Sequence, residues 1–129
     1  MIGYATIGTN DLDKAKAFYD ALLGEIGAKR MMEMDSGFTM YGVDFSKPMM
    51  AITPPHNGAT ATAGNGAMLA IPLDERSKVD VLYHKALALG GSDEGAPGVR
   101  GEEGPQAFYG AYFRDPEGHK FCAYRIGPA

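Results

Sequence analysis

One cysteine, Cys122, and three histidines, His56, His84 and His119, are the residues of this 129-residue chain best suited to nucleophilic or metal chemistry. A thiolate can attack an electrophile or hold a soft metal, and imidazole can act as a base or as a ligand for zinc, nickel or iron. Their spacing does not assemble them. Cys122 follows His119 by three residues, which in an extended strand puts the two on opposite faces. His84 belongs to a helical stretch and His56 to a Pro/Gly-rich one, so all three histidines read as surface groups. Lys120 shares the face of Cys122 but stands beside a turn, where its amine is expected to reach water. A thiol with no base beside it reads as lining, not as a nucleophile.

The elements that would position these groups are short. "MIGYATIG" reads as a strand and "NDLDKAKAFYDALLG" as a helix with Asn10 or Asp11 as N-cap. Three strands follow at "AKRMMEM", "FTMYGVD" and "PMMAIT". The stretch Pro54–Gly66, "PPHNGATATAGNG", has linker composition. Then "AMLAIPL" reads as a strand, "DERSKVDVLYHKALALGG" as a helix, and "AFYGAYFR" and "HKFCAYRI" as a closing hairpin around the turn "RDPEG". Between helix and hairpin, Ser92–Gln106 shows no strand or helix period and reads as a long loop bordering a site, with Arg100 as its only cation and exposed to solvent.

The order of elements repeats, and so do residues. A shift of 64 lays Tyr4 on Met68, Ile7 on Ile71, Lys14 on Lys78, Phe18 on Leu82, Tyr19 on Tyr83 and Leu23 on Leu87. A shift of 71 lays Tyr41 on Tyr112 and Asp44 on Asp115. Together these matches predict a duplicated βαβββ unit and an α+β fold, with one sheet face covered by a helix. Module one is expected over 1–53, a linker over 54–65 and module two over 66–129.

Composition narrows the function. A 45% hydrophobic content with six Phe and seven Tyr is enough for a core, while a net charge of −4 and no basic run longer than two residues argue against nucleic acid or an anionic membrane as partner. No apolar run approaches ~18 residues and no secretory leader is evident, so a cytoplasmic protein is expected. Eight methionines suit an adaptable interior.

The first strand with "NDLDKAKAFYDALLG", "GGSDEGAPGVR" and the hairpin "YGAYFRDPEGHKF" resembles the vicinal oxygen chelate superfamily of glyoxalases, bleomycin-resistance proteins and extradiol dioxygenases. The resemblance spans the whole chain. It implies two tandem βαβββ modules curled into a mixed-sheet cleft with helices outside, usually as a homodimer. It also implies divalent-metal ligands (His, Glu or Gln) on the first and last strands of each module. Carried over, those positions fall on Tyr4, Ala51, Met68 and Cys122. A phenol, a methyl, a thioether and a thiol cannot form that nitrogen–oxygen sphere, so no metal or other cofactor is expected.

Strand alternation adds Thr6, Met49 and Tyr124 to the same faces. The expected ligand-binding set is therefore Tyr4, Thr6, Met49, Ala51, Met68, Cys122 and Tyr124, with no catalytic residue assigned. These residues suit a small apolar or aromatic molecule. Alternatives left open are a metal-dependent lyase or isomerase of glyoxalase type or a dioxygenase with relocated ligands, a metal-free enzyme using Tyr4 as an acid, and a cleft filled by its own side chains.

Overall fold

A computed structural model describes all 129 residues. It divides into two compact units, Met1–Ala63 and Gly64–Ala129. The first contains β1 (Tyr4–Gly8), α1 (Leu12–Gly24), β2 (Lys29–Glu33), β3 (Thr39–Gly42) and β4 (Met49–Thr53). The second contains β5 (Leu69–Pro72), α2 (Arg76–Ala88), β6 (Ser92–Arg100), β7 (Phe108–Arg114) and β8 (Lys120–Ile126). Each forms a four-stranded mixed sheet, ordered β1-β4-β3-β2 and β5-β8-β7-β6, in which the first and last strands run parallel. This is the α+β fold of two tandem βαβββ modules.

In the first unit, α1 starts where Asp11 accepts a hydrogen bond from the Lys14 amide (3.1 Å), with Asp13 in the first turn beside the positive helix end. Its apolar stripe, Ala15, Phe18, Tyr19, Leu22 and Leu23, is buried. The sheet answers with Ile52, which is fully buried, and with Tyr41, whose hydroxyl donates to Asp20 (2.8 Å) and to the Lys16 carbonyl (3.3 Å) on α1. Arg30 reaches the same Asp20 through Nε (2.9 Å) and an Nη (2.6 Å). This network holds the Asp20 carboxyl below its ordinary range, chiefly through Arg30, and raises Tyr41, chiefly through burial. Ala61 is clamped by Asn10, whose side chain accepts from its amide (2.7 Å) and donates to its carbonyl (3.1 Å).

The second unit uses the same plan. Val79, Leu82, Tyr83 and Ala86 of α2 are buried. Under them lie Phe113 and Phe121, which are fully buried and stacked at 5.5 Å with rings only 7° from parallel. Phenol–carboxylate bonds again tie helix to sheet, from Tyr109 to Asp80 (2.6 Å) and from Tyr83 to Asp93 (2.7 Å). The closing turn is built as its sequence suggests. Asp115 accepts from the amides of Glu117 (3.0 Å) and His119 (2.8 Å), and Gly118 takes φ +94°.

Three expectations need correction. Ser92–Arg100 is a strand, not a loop; its two glycines, Pro97 and bulged register hide the alternation that would reveal it. His119 is buried, in the turn where its amide donates to Asp115 and its carbonyl accepts from the Asp115 amide. Tyr41 is the counterpart of Phe113, not of Tyr112. Met50 pairs with Tyr41 and Phe121 with Phe113, so β3 slides by 72 residues while β4 slides by 71. That single residue, absorbed in the loop before the last strand, reverses the face on which a side chain emerges.

Candidate functional site

The sheet faces turned away from the helices carry the candidate residues. In the first unit Tyr4 pairs with Met49 and Thr6 with Ala51 across parallel strands, so these four side chains share one face. Tyr4 is 52% exposed and meets the Phe38 ring edge-on at 5.9 Å. Met49 lies over Gly42, where any Cβ would collide with the thioether. Ala51 is fully buried in the interior strand β4, between Thr6 and Met40. Beside Phe38 opens a groove of about 400 Å³ lined by Met34, Ser36, Thr53, Pro54, Pro55 and His56, which sets two hydroxyls and an imidazole among apolar groups.

In the second unit the equivalent of the Thr6–Ala51 pair is Ala70–Cys122, and Pro72 pairs with Tyr124. Met68 stands one residue ahead of β5 and is 45% exposed. Cys122 is 2% exposed in the interior strand β8, flanked by Ala70 and Tyr112. Burial pushes its thiol above the ordinary value, against the opposing pull of the Tyr112 phenol, Arg100 and Lys120. It is therefore protonated at neutral pH and a poor nucleophile.

Sequence reasoning missed what surrounds Cys122. Tyr112 lies on this face, and both Arg100 (guanidinium carbon 5.5 Å from the ring centroid) and Lys120 (Nζ at 5.6 Å) approach its ring. Arg100 is half-buried, with its two Nη atoms donating to the Gly98 carbonyl (2.9 Å) and the Ala96 carbonyl (2.8 Å). Phe108 and Tyr124 stack on the same face at 5.4 Å and 9°. The alternation Phe108-Gly110-Tyr112 is the signal the sequence offers for this face.

The residues present do not fit the divalent metal that the resemblance implies. The four carried-over positions offer a phenol, a methyl, a thioether and a raised-pKa thiol, and no group of three or more His, Cys, Asp or Glu side chains converges in either unit.

The profile of the "Glyoxalase/Bleomycin resistance protein/Dioxygenase superfamily" matches residues 1–123. A glyoxalase/bleomycin resistance protein from Albidiferax ferrireducens T118 is 36% identical, with 97% of this chain and 98% of that one covered and a TM-score of 0.84. A family enzyme from Burkholderia phytofirmans PsJN shares 23% identity over 96% and 97% of the two chains (TM-score 0.72). Lactoylglutathione lyase from Agrobacterium tumefaciens shares 20% over 97% and 92% (TM-score 0.65); these last two are likenesses of fold. No functionally curated protein matches the chain. With its duplicated βαβββ units and a profile match over nearly its full length, the chain belongs to the glyoxalase/bleomycin resistance protein/dioxygenase superfamily.

Proposed function

We propose that this superfamily member binds a small apolar or aromatic molecule on its helix-free sheet faces without a bound metal, acting by binding rather than by metal chemistry. The observation that carries this reading is the set Tyr4, Ala51, Met68 and Cys122, none of them a usual ligand type, at the positions to which the family resemblance carries the metal ligands. Supporting it are the surrounding residues: aromatic rings, thioethers and a few hydroxyls, with Thr6, Met49 and Tyr124 completing the face. No helix is long and apolar enough to cross a membrane. A homodimer in the cytoplasm, with no nucleic-acid partner, completes the proposal. A single free cysteine suits a reducing compartment, and sedimentation tests the dimer.

Elemental analysis of protein purified without chelator, followed by thermal shift with neutral two-ring aromatics, tests the reading. We expect substoichiometric metal and a ligand-dependent rise in melting temperature that shrinks in Tyr4→Ala and Met68→Glu. Stoichiometric zinc, nickel, iron or manganese would overturn it in favour of a lyase, isomerase or dioxygenase with relocated ligands. Absence of any aromatic-dependent shift would favour sheet faces filled by their own side chains.

A further inference from the structure

We propose that the helix-free face of the second unit recognises the carboxylate of a small aromatic acid, with Arg100 and Lys120 as its cationic contacts. This rests on the small-molecule-binding reading above and narrows its ligand class.

The chain carries a net charge of −4, yet on this face Arg100, Arg114 and Lys120 gather around Tyr112. The one acid among them, Glu94, is bonded to Arg114 at 2.6 Å, and its field reaches Lys120. Arg100 and Lys120 have no carboxylate partner of their own. Both stand within 5.6 Å of the Tyr112 ring centroid, so one aromatic ring brings two positive charges to the same part of the face.

Arg100 is also held in place in advance. Two of its five N–H donors are spent on the Gly98 and Ala96 carbonyls, which fixes the fork and leaves three donors for a ligand. The backbone makes room for it. A Cβ at Gly95 would stand 3.1 Å from a guanidinium nitrogen, and one at Gly98 would stand 3.4 Å from another. A side chain at Gly95 would press the guanidinium aside by a few tenths of an ångström, and one at Gly98 would just touch it.

The aromatic half of the ligand follows from the neighbours. Phe108 and Tyr124, partly exposed, stack into one apolar surface on this face. Gly110 leaves space for the Phe108 ring, because a Cβ there would come within 2.5 Å of it. Partly exposed aromatic rings on the same face as two cations match a planar hydrocarbon bearing one negative group.

Titration calorimetry with 2-naphthoate, its neutral isostere 2-naphthamide, acetate and inorganic phosphate tests this, on the full chain at low and moderate salt. Wild-type protein should bind 2-naphthoate about tenfold more tightly than the amide, with the difference shrinking as salt rises. Arg100→Gln and Lys120→Gln, each checked for folding by circular dichroism, should remove that preference while leaving amide binding in place. Either variant alone suffices if the other fails to fold. Equal affinity for acid and amide, or a preference untouched by both substitutions, would overturn the inference and leave the aromatic-binding reading standing. Phosphate or acetate binding as tightly as naphthoate would overturn the aromatic half. If neither naphthalene compound binds, the binding reading itself fails and this inference fails with it.

Discussion

Replacing Tyr41 with phenylalanine removes one oxygen from a buried ring and leaves its packing against Tyr19 and α1 intact. The lost hydroxyl donates to Asp20 at 2.8 Å and, more weakly, to the Lys16 carbonyl at 3.3 Å. A hydrogen bond to a charged acceptor stabilises by roughly 1.5–3 kcal/mol when the acceptor has no substitute. Here the Asp20 side chain is 43% exposed and keeps two bonds from Arg30, so water and the guanidinium recover part of the loss. The expected cost is about 1 kcal/mol, or a fall of roughly 3–6 °C in melting temperature for a chain of this size.

Urea titration followed by far-ultraviolet circular dichroism measures it, and a cycle with Asp20→Asn isolates the pair. The coupling should depend on pH. Asp20 is held below its ordinary value by Arg30 first and by Tyr41 as well, so its folded pKa lies under its unfolded one. The stabilisation is therefore present above the unfolded value, near pH ~4, and is lost as pH falls through the folded value. A cycle showing no coupling at neutral pH, or the same coupling at pH 2 as at pH 7, would refute the reasoning.

Truncating Phe121 to alanine removes half of the stacked pair under α2 and should cost about 3–5 kcal/mol in a denaturant titration, with Phe121→Leu losing clearly less. Gly91→Ala would put a Cβ 2.5 Å from the Arg114 carbonyl oxygen and 2.8 Å from that of Ala86, both fixed backbone, and should destabilise by roughly 1–3 kcal/mol. Gly3→Ala, whose Cβ meets nothing within 4 Å, should be close to neutral in the same melting assay. Acid should lower the stability of the protein modestly. Glu33 (through Lys16), Asp93 (through Tyr83), Glu94 (through Arg114) and Glu103 (through Arg76) are all held below their ordinary values. Melting temperature should thus hold from neutral pH to about pH 5 and fall below about pH 4.

The helices and the duplication were legible in the sequence because both are written in apolar periodicity. The shift of 64 that lays Lys14 on Lys78 also lays α1, Leu12–Gly24, on α2, Arg76–Ala88, residue for residue. The first and last strands were equally plain: the Thr6–Ala51 and Ala70–Cys122 pairings are what the two shifts imply. The middle strands were not. β6 contains glycines at 95 and 98 and a proline at 97, so the signal of alternating side chains is missing where the backbone makes room for Arg100. The shared identity of two tyrosines lays Tyr41 on Tyr112, whereas the register lays it on Phe113. Arg100 was read as a solvent-exposed loop residue because only the fold shows that its segment pairs with β7 and aims the guanidinium at a ring.

The two units diverge most on their helix-free faces. Toward the helix both use the same solution, a buried aromatic layer pinned by phenol–carboxylate bonds: Tyr41 to Asp20 in the first, Tyr109 to Asp80 and Tyr83 to Asp93 in the second. Where Tyr41 has a hydroxyl, its counterpart Phe113 has none, and the anchor moves to Tyr109, four residues earlier on β7. On the helix-free face no such equivalence survives. The first unit presents Tyr4, Thr6 and Met49 near an apolar groove, and the second presents Arg100, Lys120 and a stacked aromatic pair. Packing against a helix constrains volume and polarity together, so that face tolerates relocation of an anchor but not its loss. The other face is free of that demand, and each unit has filled it differently: rings and thioethers beside a groove in the first, two cations beside a stacked aromatic pair in the second.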